Sequence, residues 1–580
     1  MKRLLVTYLK PYWKLIVVVV VLVFGQSIAN LYLPSLNASL INNGVQNGDT
    51  GYILRIGLYM LGVALLMGIC SIFSVYWASR VAMGMGRDVR SSLFRKVQSF
   101  SQAEINHFGT SSLITRNTND VQQVQMLIAL GLTIMLSAPL MVIGGIIMAL
   151  RQDVPLTATL AVILPAMGIF MYLMLRRALP LFRTMQVRID RINQLMRETL
   201  SGVRVIRAFA RHDQEEGRFD EANLELSATT LSAFRLFALM MPILMAIMYF
   251  STLGIMYFGG RRVASGGMEI GNLLAFVTYV MQILISVLMS LMLAAQIPRA
   301  TASGDRIQKV LATEPTIHDP AVALPAISAD GGSHGRIEFK DVEFGYPGAQ
   351  APVLSHISFT AQPGQTTAIV GSTGSGKTTL ISLIPRFYDV TAGSIEIDGR
   401  DIRSMDRADL WREIGFVPQK AFLFSGTVAS NLRYGDETAD EDEMWHALSI
   451  AQADAFVGEM PDGLDSEITQ GGTNVSGGQR QRLAMARALV KKPDIYVFDD
   501  SFSALDFKTD SLLRAALKRE VAKANVLIVG QRVSSIMHAD QIVVLDQGTI
   551  CGLGTHQELM ESCETYREIV YSQLSAEEVA

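Results

Sequence analysis

Eight consecutive residues, Gly371 to Thr378, read GSTGSGKT directly after the apolar run Thr367–Val370. Two glycines separated by four residues and followed by Lys and Ser or Thr form the spacing of a phosphate-gripping loop. Gly371, Gly374 and Gly376 free the backbone of Ser372, Thr373 and Ser375 to close around the β- and γ-phosphates of a nucleotide. Lys377 adds a positive charge, and the Thr378 hydroxyl, followed by Thr379, reaches a magnesium ion bridging those phosphates. Three further positions suit the same chemistry. Tyr346, 25 residues before Gly371, can stack on an adenine ring, although a core or turn tyrosine is the plainer reading. Gln419, in FVPQKAFLFSGT, is placed to ligate magnesium or to sense the γ-phosphate. DIYVFD, Asp494 to Asp499, is a buried-strand pattern that ends in a carboxylate, as a magnesium-organising Asp499 at a strand's carboxyl end requires.

These residues need a scaffold. The loop must join a strand, supplied by Ala368–Val370, to a helix, supplied by Thr379–Ile384. From Arg336 onward short apolar strands alternate with helical runs, the pattern of an α/β domain that holds its ligand at the strand ends. The chain has 580 residues, so at least two domains are expected. Half the residues are hydrophobic and 18% are charged, and the apolar ones crowd into roughly the first 300, which marks a membrane half. A net charge of -3 and the lack of a basic tract leave no footprint for nucleic acid. Cys70, Cys551 and Cys563 have neither metal spacing nor a disulfide framework and read as incidental thiols.

Lys2, Arg3, Lys10 and Lys14 precede an apolar run from Leu15 to Leu33, about 20 residues, the length that crosses a bilayer core. The run is longer than the apolar stretch of a cleaved signal, and no A-x-A-like site follows it. Five more runs, near Ile53–Ala78, Met126–Leu150, Pro155–Leu175, Leu236–Phe258 and Leu273–Ala295, make six spans. The segment Pro34–Tyr52 lacks Lys and Arg, whereas arginines crowd the connections after spans two and four. Positive loops stay inside, so both termini and the soluble domain are expected in the cytoplasm of a cell-membrane protein. Arg261 and Arg262, in an outer loop, weakly oppose this. Helical patterning continues through Val81–Gln125 and Arg176–Arg235. Breaks at Gln98–His107 and Phe209–Phe219 suit short cross-helices at hairpin tips, or ordinary solvated loops. Spans five and six are rich in methionine, among them Met240, Met245 and Met289, either as lipid-facing filler or as the lining of an adaptable apolar site. No acidic residue lies in the middle of a span, which argues against a proton relay. With a linker over Thr313–Gly335, the expected domains are a membrane domain at 1–312 and a nucleotide-binding domain at 336–580.

The run NVSGGQRQRLAMARAL, Asn474–Leu489, is the most diagnostic stretch. With GSTGSGKT, Gln419, Asp499 and the segment SALD at Ser503–Asp506, it resembles the ATP-binding cassette (ABC) transporters, specifically the exporters built as half-transporters. The resemblance covers essentially the whole chain. It implies an all-α membrane domain of six long helices fused to a soluble α/β P-loop domain, with ATP and Mg2+ as cofactors. It also implies a head-to-tail dimer in which ATP lies between one chain's phosphate loop and the other chain's signature, here Ser476, Gly477, Gly478 and Gln479. The physics agrees, because free amides at a helix start favour a γ-phosphate.

Three positions depart from the family pattern. Asp500 stands where the family has a glutamate that polarises the attacking water. Gln531 replaces the switch histidine, and Gln470 replaces a glutamate before the signature. The chain therefore resembles the subunit of bacterial heterodimeric multidrug exporters whose own site is degenerate and mainly holds ATP, while its intact signature serves a partner carrying the glutamate and histidine. A homodimer with neutral drift is the plainer alternative. The expected cargo is apolar or amphipathic, in contact with the lipid bilayer. A lipid or lipopeptide translocase, an importer, or an ATP-gated channel or regulatory subunit are the competing readings. A peptidase-exporter is disfavoured, since no domain precedes the span at Leu15.

Overall fold

A computed structural model describes residues 1–294, 296–320 and 334–573. Most of the expected linker therefore lies outside the described residues. The chain separates into two compact units, one formed by 1–97 and 111–313, the other by 98–110 and 314 onward.

The first unit is helical. Among the described residues six helices are long and apolar enough to cross a membrane: Lys2–Val45, Thr50–Gln98, Thr110–Gln152, Val154–Ala208, His212–Ala264 and Ile270–Ser290. A helix of 49 residues such as Thr50–Gln98 is about 74 Å long, more than twice the ~30 Å of a hydrocarbon core. Its excess length is amphipathic, with Arg80, Arg87, Arg90 and Arg95 beside the buried Val81, Met85, Val89 and Leu93. Leu54, Leu58 and Leu65 on this helix are exposed, which suits a lipid solvent. Arg262 belongs to the last helical turn of His212–Ala264, and its Nε donates to the buried Asp153 carboxylate at 2.8 Å. That carboxylate also caps the backbone of Leu156 at 2.7 Å, so the arginine that weakly opposed the orientation rule is half of an ion pair. At the other end of the unit Arg306 forks onto both oxygens of the buried Asp120.

The two tips of the helical connections differ. At the first, Thr50–Gln98 stops and a short helix, Gln102–Phe108, follows. Ser101 and Glu104 close its start with a reciprocal capping box. At the second, the break expected over Phe209–Phe219 shrinks to three residues, because the long helix restarts at His212. Asp213 and Glu215 favour that start through the helix dipole, and Glu215 pairs with Arg218 one turn on at 2.8 Å.

The second unit is α/β. Its main sheet has six strands in the order Thr549–Gly554, Gln541–Asp546, Thr366–Gly371, Asn525–Val529, Ile495–Asp499 and Ile414–Val417. The last five run parallel, and only Thr549–Gly554 is antiparallel. Strands Ile495–Asp499 and Asn525–Val529 are buried at every position, as a parallel sheet covered on both faces demands. A smaller antiparallel sheet packs Phe339 against Phe359 at 4.5 Å. The first hairpin tip belongs to this unit: the backbone of Thr316 donates to Glu104 at 3.1 Å.

Candidate functional site

Four adjacent parallel strands end at the same edge, and each delivers a residue singled out in the sequence. The strand Thr366–Gly371 leads into the loop, Ile495–Asp499 into Asp499 and Asp500, Ile414–Val417 into Gln419, and Asn525–Val529 into Gln531. Chain order cannot show this convergence, because 419 and 531 become near neighbours only through the strand order.

The loop needs its glycines: a Cβ on Gly371 would run into the Leu545 carbonyl oxygen. Gly374 (φ 86°) and Gly376 (φ 101°) lie in left-handed backbone, and a Cβ on Gly376 would come within 2.7 Å of the Leu354 side chain. Lys377 curls back over the loop, its Nζ donating to the carbonyls of Gly371 at 2.9 Å and Ser372 at 2.7 Å. Burial lowers the pKa of its ammonium group, while Asp500 and Asp499 pull it back up. A desolvated cation beside an amide-lined loop is prepared to exchange carbonyl partners for phosphate oxygens.

Thr378 Oγ1 donates to Asp499 Oδ1 at 3.1 Å. Burial, and then the charge of Asp500, push the Asp499 carboxyl above its ordinary range, opposed by the Thr378 hydroxyl and by Lys377. This pair fits Mg2+: a hydroxyl and a carboxylate are hard oxygen donors, and a cation would relieve the buried negative charge. Gln419, expected to ligate the same ion or to sense the γ-phosphate, donates from its Nε2 to Asp500 Oδ2 at 3.2 Å.

Gln531 Nε2 donates to that same oxygen at 2.9 Å. Two amides thus hold one carboxylate oxygen, and Asp500 itself sits in left-handed backbone (φ 45°), tied to Val529 O through its own N–H at 3.0 Å. Burial raises the Asp500 pKa, while the Gln419 amide, Ser503, Lys377 and Arg532 lower it. Sequence reasoning missed Arg532, which follows Gln531 and braces the SALD segment through the carbonyls of Ser503 at 3.1 Å and Leu505 at 3.3 Å.

Tyr346 lies outside this edge cluster but touches the loop's helix: its hydroxyl and that of Thr379 share a hydrogen bond of 3.0 Å. Tyr388 meets Tyr346 edge-on at 5.3 Å and accepts from Asn106 Nδ2 at 3.1 Å. The first hairpin tip is therefore two side chains away from the candidate adenine platform. No motif marks Asn106 or Tyr388; only the fold brings them together.

The signature starts the helix Gly477–Val490. Ser476 is its cap and accepts from Gln479 N at 3.2 Å, while Ser476 N donates to Gln479 Oε1 at 2.9 Å. Arg480 anchors the preceding turn through the carbonyls of Gly471 and Gly472. Ser476 and Gly477 are exposed, and a Cβ on Gly477 would meet nothing within 4 Å. The helix start is thus well capped and open to a ligand.

Comparison with known proteins agrees with both halves. A family model described as the ABC transporter transmembrane region matches residues 16–287, and one described as ABC transporter matches residues 354–503. The chain is 47% identical over 573 residues to an uncharacterized ABC transporter ATP-binding protein of Mycobacterium tuberculosis, covering 98% of each chain. It is 31% identical to an ATP-dependent lipid A-core flippase of Chromobacterium violaceum, covering 99% of this chain and 97% of that one. Its fold is similar to the structure of a bacterial Atm1-family ABC exporter with ATP bound, with a TM-score of 0.79 and 23% identity over 97% of this chain and 99% of that one. A membrane unit of six helices and one P-loop α/β unit in a single chain, related over nearly full length to such proteins, belong to the ABC transporter family in the form of an exporter-type half-transporter.

Proposed function

We propose that this chain is one half of a two-chain, ATP-driven exporter in the cell membrane, and that its own nucleotide site mainly holds ATP while its signature completes the hydrolytic site of a different partner chain. The observation that carries this reading is the state of Asp500. Its side chain is one methylene shorter than a glutamate, one of its oxygens accepts from both Gln419 and Gln531, and the second of these amides replaces a group able to carry a proton. A general base must reach the attacking water, and a misplacement of about 1 Å can cost about 100-fold in rate. By contrast Lys377, Thr378 and Asp499 are present and mutually placed to bind, and the Ser476 cap is formed. Binding groups kept and the base weakened is the pattern of a holding site. The test is the ATPase rate of this chain alone against that of the chain copurified with a second half-transporter.

In this reading Lys377 and the loop amides grip the β- and γ-phosphates, and Tyr346 stacks on the adenine. Thr378 and Asp499 hold Mg2+, which when bound neutralises charge on the phosphate oxygens. Two ATP molecules close the soluble units, and the hairpin tips carry that motion to the membrane helices. Asn106, Tyr388 and Tyr346 give the first tip a direct route to nucleotide occupancy. Methionine-rich spans without buried mid-span acids favour apolar or amphipathic cargo. The flippase name of the 31% relative supports a second reading, in which the cargo is a lipid.

The buried carboxylates give a check on the binding groups. Because burial raises the pKa values of Asp499 and Asp500, the folded protein holds their protons more tightly than the unfolded chain. That contribution to stability is complete at low pH and is lost as pH rises through the raised values, so at neutral pH both charges are a penalty. Asp499→Asn is therefore expected to raise the unfolding temperature of the ligand-free protein. It should also remove most of the gain from Mg–ATP, which for the unaltered protein is about 2.7 kcal/mol at 100 times Kd. Thermal unfolding with and without Mg–ATP measures both.

A further inference from the structure

Between the helices Val154–Ala208 and His212–Ala264 lies a groove of about 650 Å³. Three guanidinium groups, Arg176, Arg177 and Arg235, share it with Ser232 and with apolar walls that include Leu173 and Leu239. All three arginines are exposed, and none has a carboxylate partner among the described residues. On the same two helices Arg188, Arg218 and Arg262 are paired, whereas Arg204 and Arg207 have no carboxylate partner among the described residues either; the three groove arginines stand apart by sharing one apolar-walled site.

The groove has a defined depth. On one helix the residues from Leu160 to Leu175 carry no charge, and on the other those from Leu236 to Gly260 carry none. Both uncharged stretches end at these arginines, so the cationic cluster stands where the hydrocarbon stops and the leucines face the acyl region. The second stretch is about 37 Å long, enough to cross a ~30 Å core. By the distribution of Lys and Arg this is the cytoplasmic leaflet.

We propose that the groove is a binding site for an anionic phospholipid, its phosphate held by Arg176, Arg177 and Arg235 and one acyl chain laid along Leu173 and Leu239. Unpaired guanidinium groups are built for phosphate oxygens, which they take in bidentate fashion, and basic pockets between membrane helices at the cytoplasmic face bind such headgroups. A neutral lipid would leave the cluster uncompensated, and a free phosphate would leave the apolar walls uncovered. The site is distinct from the nucleotide chemistry and does not depend on which chain hydrolyses ATP, though its leaflet rests on the proposed orientation.

The test is lipid retention by the full-length protein in nanodiscs of phosphatidylcholine containing a minor fraction of phosphatidylglycerol, read by native mass spectrometry after release. The unaltered chain is expected to retain phosphatidylglycerol over phosphatidylcholine, and the variant R176Q/R177Q/R235Q to lose that preference by about 10- to 100-fold, as the loss of three surface-proximal cations implies. R204Q/R207Q, which removes two exposed arginines of the same helix outside the groove, should keep it, and R176K/R177K/R235K should keep part of it. Glycerol phosphate should not displace the lipid. Equal loss in R204Q/R207Q, displacement by glycerol phosphate, or a triple variant that keeps its lipid and instead fails to assemble with a second chain would each overturn the proposal.

Discussion

Replacing Asp500 by glutamate and Gln531 by histidine in the same chain is expected to raise ATP hydrolysis at the site of Lys377 by about 100-fold. The two changes act together. Glutamate restores the reach of the base beyond the two amides that now hold one Asp500 oxygen, and histidine replaces one of those amides with a group able to carry positive charge toward the γ-phosphate. Either change alone is expected to give a small part of the gain: D500E still meets the Gln531 amide, and Q531H still leaves the base short. Single-turnover hydrolysis with the partner's own site disabled isolates this chain's site. A double variant no faster than the unaltered protein would place the defect elsewhere, with the signature that faces this site as the next candidate.

The second large effect is expected from Gly477→Asp. At the first position of a helix an acidic side chain is favourable, and at Gly477 it enters open space, so folding and the Ser476–Gln479 cap should survive. Function should not, because the new carboxylate stands where the helix start would receive a γ-phosphate. Close like charges repel by about 4 kcal/mol at an effective dielectric of 20 and 4 Å, enough for a loss beyond 100-fold in the hydrolysis of the two-chain assembly. The readout that separates this from misfolding is nucleotide binding to this chain's own loop, which G477D should leave intact. A G477D assembly that hydrolyses at the normal rate would remove the signature of this chain from the working site.

Much of this was legible in the residues, for physical reasons that differ from place to place. Gly371–Thr378 and Ser476–Gln479 could be read because each is a local device: the left-handed glycines, the lysine and the cap act within one turn of chain. The six spans could be read because a bilayer sets a length: the first five expected runs fall within helices, and the sixth overlaps Ile270–Ser290, while Ala295 lies outside the described residues. The clamp on Asp500 could not, because Gln419 and Gln531 arrive from strands on opposite sides of Ile495–Asp499, and a strand order set by crossovers leaves no trace in sequence spacing. Tyr388 and Asn106 were silent for the same reason. At the second hairpin tip the break expected over Phe209–Phe219 narrows to three residues, because the acidic first turn supports a helix start at His212. Cys551 and Cys563, read as incidental thiols, have sulfurs 4.0 Å apart, an approach made by folding the helix His556–Ser562 back on the strand Thr549–Gly554.

The central claim is the division of labour between two chains, and the most direct measurement is steady-state ATPase activity of the purified chain by itself and copurified with a second half-transporter bearing glutamate and histidine at the positions of Asp500 and Gln531. The account expects the lone chain to bind Mg–ATP and turn it over slowly, and the assembly to be at least about 10- to 100-fold faster, with that rate abolished by G477D in this chain. A lone chain that assembles with itself and hydrolyses ATP as fast as the two-chain assembly would contradict it.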